Sequence, residues 1–381
     1  MTSARAAVGQ TPLPRTGVTT RAAASRTPMA LAWRQLRRHR IALIGGGILI
    51  ALYTMMLLGD FIAPYSLDYT DRSRFYHHPT VPRFVDLQGG WHLRPFVYQT
   101  ELSDPQLRTY KIVNPEKRHP ILFFVRGEPH RLFWFLPTTW HLFGVDPEAR
   151  VFLMGTDQFG RDLFTRILYG SRVSLFIGII SVSITIPIGM VYGGIAGYYG
   201  GRVDNLMMRL VEVIIAFPTF YLFLTLSAVL PTSVNCNTRF YLIVLILSFL
   251  GWTGFSRLIR GFVLSLKERE YVLAAKAIGL SDFRIITRHI LPNTASLVIV
   301  VATLSIPGAI LGESGLSFIG FGIREPCASW GNLLTAGTNL INLSKSPWLL
   351  FPGLFIIIAV IAYNFLGDGI RDAFDPRLRS G

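Results

Sequence analysis

Charge is scarce in this chain. Of its 381 residues only 15% are Asp, Glu, Lys or Arg, while 51% are hydrophobic; an ordinary soluble domain carries ~25% charged residues. With a mean hydropathy of +0.43, this is a membrane protein. Cysteine is scarcer still: Cys236 and Cys327 alone exclude a disulfide framework and a cysteine-based metal centre. They read either as two unrelated small residues or as a bridge between two outer loops, since both fall outside in the topology derived below.

Enzyme signatures are missing too. There is no Gly-Lys dipeptide and hence no phosphate-cradling P-loop, and neither His-Glu-x-x-His nor Gly-x-Ser-x-Gly occurs. The chain is therefore expected to hydrolyse no nucleotide itself and to bind no cofactor or metal. His77-His78 is the only histidine pair. Adjacent residues point to different faces of a strand or helix, which favours solvated loop residues over metal ligands. No repeat of 20 to 50 residues is visible, which removes solenoids and propellers. Residues 1–40 contain no acidic residue; their Arg, Ser, Thr and Ala suit a basic cytoplasmic tail better than a transit peptide.

The formal net charge is +15. Nucleic acid would require a basic soluble face, but the basic residues cluster at the ends of apolar runs, where membrane orientation explains them. Six runs qualify as spans: residues 41–63, 173–197, 210–230, 240–255, 295–311 and 348–366. A crossing takes about 20 residues, so the short fourth and fifth must borrow flanking residues such as Arg257 by snorkelling. Arg34, Arg37, Arg38, Arg40, Arg202, Arg209 and a basic run from Arg257 to Arg288 fall on one side, with Arg371, Arg377 and Arg379. The two short loops opposite hold only Arg239, Arg324 and Lys345, so both termini are expected in the cytoplasm.

The expected organisation is a tail over 1–40, a first transmembrane helix over 41–63 and an extracytoplasmic segment over 64–172. A five-helix core over 173–367 follows, with a cytoplasmic loop at 263–293, then a cytoplasmic C-terminus over 368–381. Inside the long segment, "HPILFFVRGEPHRLFWFLPTTWHLFGVD" alternates aromatic clusters with Pro and Gly, the pattern of short strands in a compact lobe under the membrane lip. A seventh crossing there is interrupted by Arg126, Glu128, His130 and Arg131.

Pro187, Pro218, Pro307 and Pro352 lie inside spans. Each removes a backbone hydrogen bond, a break tolerated where neighbours or a cavity satisfy the freed groups. Gly189, Gly193 and Gly197 form a one-sided ladder that lets helix backbones approach closely. Glu212 lies one turn into the third span, and Glu313 just past the outer end of the fifth. Carboxylates near hydrocarbon are costly unless paired or wet, so Glu212 and Glu313, with Pro218 and Pro307, are candidates for a translocation path or for structural pairing.

Between the fourth and fifth spans stands "REYVLAAKAIGLSDFRIITRHILPN". A helix there puts Tyr271, Ala274, Ala275 and Ile278 on one stripe, with paired alanines that let a second surface approach. Gly279 suits a left-handed cap, Ser281 or Asp282 a helix start, and Pro292 a start or break. The next helix presents Phe283, Ile286 and Ile290 on one side. Lipid would favour larger apolar residues than alanines, so a docked protein is expected.

This stretch resembles the cytoplasmic loop of binding-protein-dependent ABC importer permeases: Ala274-Ala275, Gly279 and Ile290-Leu291-Pro292 match, while Leu273 stands where that signature has Glu. "WRQLRRHRIALIGGGILI", "GTDQFGRDLFTRILYGSRVSL", "GYYGGRVDNLMMR", "LGESGLSFIGFG" and "GDGIRDAFDPR" resemble segments of the second permease subunit in the dipeptide/oligopeptide (peptide/nickel) branch. The resemblance covers roughly 33–65 and 150–379. It implies an all-α, six-helix permease of the type I importer fold, in a bacterial cytoplasmic membrane. It also implies a second homologous permease, two cytoplasmic ATPases carrying ATP and Mg, and an extracytoplasmic substrate-binding protein. Tyr271, Ala274, Ala275, Ile278, Gly279, Leu291 and Pro292 would be the ATPase-coupling residues. The competing reading, a stand-alone carrier or channel, needs mid-membrane coupling carboxylates; Glu212 and Glu313 lie near span ends.

Overall fold

The computed structural model describes residues 28–133, 135–231 and 233–374; most of the basic tail, with Arg377 and Arg379, lies outside them. A short helix α1 (Pro28–Leu36) leads into α2 (Arg40–Leu57), capped by His39 Nδ1 accepting from the Ala42 N–H. The expected first span stops six residues early, because a turn at Leu58 starts a separate one-turn helix α3 (Gly59–Ile62).

A lobe follows. Strands β1 (Arg83–Val85), β2 (Trp91–Tyr98) and β5 (Arg118–Pro120) form one antiparallel sheet in the order β1-β2-β5. β3 (Thr100–Asp104) pairs with β4 (Thr109–Ile112), and β6 (Leu122–Leu132) with β7 (Leu136–Gly144). Val97, Ile121, Phe143, Ala149 and Val151 form its core. The strands agree with the Pro- and Gly-broken aromatic pattern, and the all-α description holds for the membrane body alone.

Helix α4 (Leu163–Tyr199) starts where the Asp162 carboxylate accepts from the Thr165 N–H at 2.8 Å, so the last ten residues of the expected outer segment are already helical. It runs unbroken through Pro187 to Gly200, whose φ of +65° ends it. The third span is a correction: α5 (Gly201–Ile215) and α6 (Thr219–Ala228) meet at 75°. Pro218, extended at ψ +120°, sits at the break, where it can neither donate to nor continue the preceding helix.

Helix α7 (Cys236–Leu266) is longer than its apolar run because Asn235 caps its start and the helix continues past residue 255 to Leu266. α8 (Glu270–Ala277) and α9 (Asp282–Ile285) follow. A π turn (Ile286–Ile290) and a 3-10 turn starting at Leu291-Pro292 then carry α9 into α10 (Ala295–Phe318). α11 (Trp330–Leu333), α12 (Leu340–Lys345) and α13 (Phe351–Phe374) complete the described residues, so the expected C-terminal tail begins with seven residues of helix. Among the described residues five helices are long and apolar enough to cross a membrane, and six if the bent pair is one span.

The main core joins α2, α4, α10, α11 and α13 around Met56, Ile167, Trp330 and Tyr363. Lipid supplies no hydrophobic drive between helices, so close packing must. The glycine ladder provides it: a Cβ at Gly189 would lie 3.1 Å from the Trp252 carbonyl oxygen and one at Gly193 3.0 Å from Arg260 N. A second core at the opposite end gathers Tyr198, Ile259, Val263, Val272, Ala275, Ile285 and Ile290.

Candidate functional site

The loop between α7 and α10 is locked to its own chain on one side and bare on the other. α8 ends in a paired turn, Leu280 N–H to Ala275 O at 3.2 Å and Gly279 N–H to Lys276 O at 2.9 Å, with Gly279 at φ +80°. That is the glycine-closed helix end in which a left-handed residue satisfies the last carbonyls. Asp282 opens α9 and accepts from the Tyr198 hydroxyl at 2.6 Å, which ties the loop to the end of α4.

The predicted stripe splits. Ala275 is buried with Val272 against Ile285 and Ile290, because these two lie three residues apart on the inward side of α8. Ala275 is thus packing, and no part of an outward surface. Tyr271, Ala274 and Ile278 face outward, joined by Leu273 and Ala277, and Ile278 is 78% exposed. Phe283 is also corrected: it is 77% exposed, and Ile285 takes its place inside with Ile286 and Ile290. Six apolar side chains of the loop are therefore bare: Tyr271, Leu273, Ala274, Ala277, Ile278 and Phe283. Leu291 packs on the inner core, and Pro292 stands in the first turn of the connection into α10.

The pathway candidates separate. Glu212 is a surface residue of α5 paired with Arg209 at 3.2 Å. Glu313 is wholly buried inside α10, not beyond its end. Its carboxylate accepts from Ser174 Oγ at 3.1 Å and from Ser317 Oγ at 2.6 Å. Those hydroxyls in turn accept from the Trp330 and Ile323 N–H groups, so Glu313 holds α4, α10 and α11 together and presents no oxygen to a path in this conformation. Pro307 is buried in an unbroken α10, while Pro218 marks the one bent span among the described residues. The buried residues of α10 are confined to its C-terminal half, Pro307 to Ser317, whereas those of α7 run from Arg239 to Val263. α10 and the bent pair thus form the open side of the bundle.

Several charged contacts were not singled out from the sequence. At the lobe end, Glu325 accepts from Arg161 at 2.6 Å and Arg166 at 2.9 Å, beside a polar cavity of about 440 Å³. Asp60 accepts from Arg172 at 2.6 Å, and at the far end Asp204 accepts from Arg260 at 2.5 Å. Arg166 and Arg172 interrupt an apolar helix, and the cost of such charges was the available signal for partners. Cys236 and Cys327 are joined in a disulfide, with Cα atoms 5.7 Å apart; it links the start of α7 to the loop after α10, and the reading as unrelated residues is corrected.

Residues 186–380 match the family described as "Binding-protein-dependent transport system inner membrane component". Residues 27–79 match the "N-terminal TM domain of oligopeptide transport permease C". The dipeptide transport system permease protein DppC of Bacillus subtilis is 36% identical over 349 residues, 91% of this chain and 85% of the relative. The oligopeptide transport system permease protein OppC of Haemophilus influenzae is 40% identical over 266 residues, 68% of this chain and 82% of the relative. A profile over half the chain and a relative this similar along most of both lengths converge: the chain belongs to the inner-membrane permease components of binding-protein-dependent ABC transport systems, in their dipeptide and oligopeptide branch.

Proposed function

We propose that this chain forms half of an ATP-driven import pathway for peptides or peptide-like solutes in a bacterial cytoplasmic membrane. In this reading both termini and the 263–293 loop are cytoplasmic and the lobe extracytoplasmic. A second homologous permease completes the path against the open side formed by α10 and the bent pair. Two ATPases bind ATP and Mg and do the hydrolysis, no cofactor sits on this chain, and a substrate-binding protein delivers the solute to the lobe side.

The observation that carries the proposal is the two-sided loop. Its inner side is packed into the end of α4 and α7 through Val272, Ala275 and Ile285, while Tyr271, Ala274, Ile278 and Phe283 are bare. A groove that closes on the bare side moves a rigid body, and α9 continues through the π turn directly into α10. Nucleotide-driven closure of the ATPases would thereby tilt α10, a two-state element biased by ATP on one side and by loaded binding protein on the other. With Leu273 exposed where the related loop has Glu, the contact here relies on apolar surface rather than on an ion pair.

The test is purification from mild detergent with a C-terminal tag, mass spectrometry of the retained proteins, and peptide uptake by vesicles containing the assembly. Recovery of a second permease and two Walker-motif ATPases, with uptake that needs ATP, is the expected result. Uptake by this chain alone without ATP would overturn it.

A further inference from the structure

The direction of the β6–β7 hairpin is fixed by what its two halves touch. At its base Phe143 packs on Phe164, with ring centroids 6.3 Å apart, at the very start of α4. Its middle lies further along that helix: Glu128, His130 and Arg131 share a cavity of about 450 Å³ with Tyr169, Arg172 and Asp60. From Phe164 to Arg172, α4 advances about 12 Å at ~1.5 Å per residue, and it advances from the lobe into the membrane body. α2 and α3 give the same bearing. Phe61 meets Phe124 and the Ala63 carbonyl accepts from His141, while Asp60, nearer the end of α2, lies at the level of His130. The end of the hairpin, where Leu132 pairs with Leu136, therefore points at the bilayer.

The side chains along that course suit the destination. Leu132, Phe133, Phe135 and Leu136 at the tip carry no charge; Phe135 is 76% exposed, and Phe123, Phe124 and Leu136 are exposed as well. Higher up, at the level of α3, Arg126 stacks on Trp140 at 5.3 Å, and Arg131 flanks the tip. Aromatic rings and arginines at headgroup depth above an apolar tip are the ordinary distribution at a membrane surface. So many large apolar side chains on one hairpin are costly in water. The hairpin packs on α3, and α2, the span that leads into α3, carries exposed Ile50 and Leu57.

We infer that the β6–β7 hairpin is a membrane anchor: Phe135 and Leu136 enter the leaflet on the lobe's side, next to α2, and Arg126 and Arg131 lie against lipid phosphates. The anchor holds the lobe at a fixed depth. The arginines suit anionic headgroups.

An environment-sensitive fluorophore on Phe135→Cys tests this in the full chain, in vesicles of phosphatidylethanolamine and phosphatidylglycerol. The native cysteines are bonded to each other, so the label is confined to one position. Lipids carrying a nitroxide on the acyl chain are expected to remove most of the fluorescence and aqueous iodide almost none, with the reverse for a label on Glu116→Cys. The same fluorophore on Leu136→Cys repeats the measurement should the first variant fold poorly. Quenching at 135 by iodide but not by nitroxide lipid overturns the anchor, and so does shielding that arises only when a binding protein is added.

Discussion

A Cβ on Gly197 would stand 2.8 Å from the carbonyl oxygen of Arg260; α4 and α7 meet backbone to backbone, with no room for a side chain between them. Gly193, one turn earlier, is held as tightly against Ser256 and Arg260. Gly193→Leu should therefore split the pair, and overpacking costs ~1 to 3 kcal/mol or more. Thermal unfolding in detergent should show a midpoint well below that of the parent. Gly261→Ala is the matched control, since a Cβ there has nothing within 4 Å. Equal midpoints for Gly193→Leu and Gly261→Ala would contradict the contact.

The loop offers a pair of adjacent alanines with opposite fates. Ala274 is exposed and Ala275 buried, so tryptophan at each position asks a different question. Ala274→Trp should leave expression and thermal stability at parental levels while abolishing uptake and retention of the ATPases. Ala275→Trp should lower stability itself, because the added rings have to enter the core with Val272 and Ile285. Normal transport by Ala274→Trp would sink the docking reading.

These two cases also mark how far the sequence could be read. Apolar runs located the spans because hydrocarbon thickness constrains length, and Gly279 announced its turn because few other residues adopt its φ of +80°. The helical stripe misplaced Ala275 because a short helix packed on one side leaves less than half its circumference bare, and spacing alone does not say which side faces home. The break at Pro218 was visible as a proline, but its 75° angle comes from α5 being fastened to α7 through Asp204 and Arg260, a contact between distant segments. Glu313 was noticed as a carboxylate; its serine partners arrive from α4 and from its own next turn, and only the assembled bundle reveals them.

His77 gives the lobe a pH dependence. It is buried; its Nδ1–H donates to the His78 carbonyl at 2.6 Å, and its Nε2 accepts from the Thr100 hydroxyl at 2.8 Å. Burial first, and His78 second, push its pKa down to about 4 from an ordinary 6.5. The unfolded chain thus takes up a proton before the folded lobe does. Stability is whole above pH 6.5 and falls as the pH drops toward 4, by on the order of 3 kcal/mol. The protection factors of the β3 amides, taken relative to intrinsic exchange at each pH, should fall through that window, and His77→Gln should flatten the response. An unchanged slope in His77→Gln would place the titrating group elsewhere.

Glu313 separates a structural role from a transport role most cleanly. Its carboxylate accepts from Ser174 and Ser317, and Ser174 in turn accepts from the Trp330 N–H, so one side chain joins three helices. Glu313→Ala leaves buried hydroxyls without an acceptor, at a cost of ~1 to 3 kcal/mol, and should reduce folded protein and uptake in proportion. Glu313→Gln retains one acceptor oxygen and nearly the same volume, so it should recover most of both. A residue that contacts solute would behave otherwise: Glu313→Gln would then keep parental thermal stability while its KM for uptake rises. Measuring uptake per folded molecule beside the unfolding midpoint for both variants distinguishes the two, and the closed serine network predicts that midpoint and uptake move together.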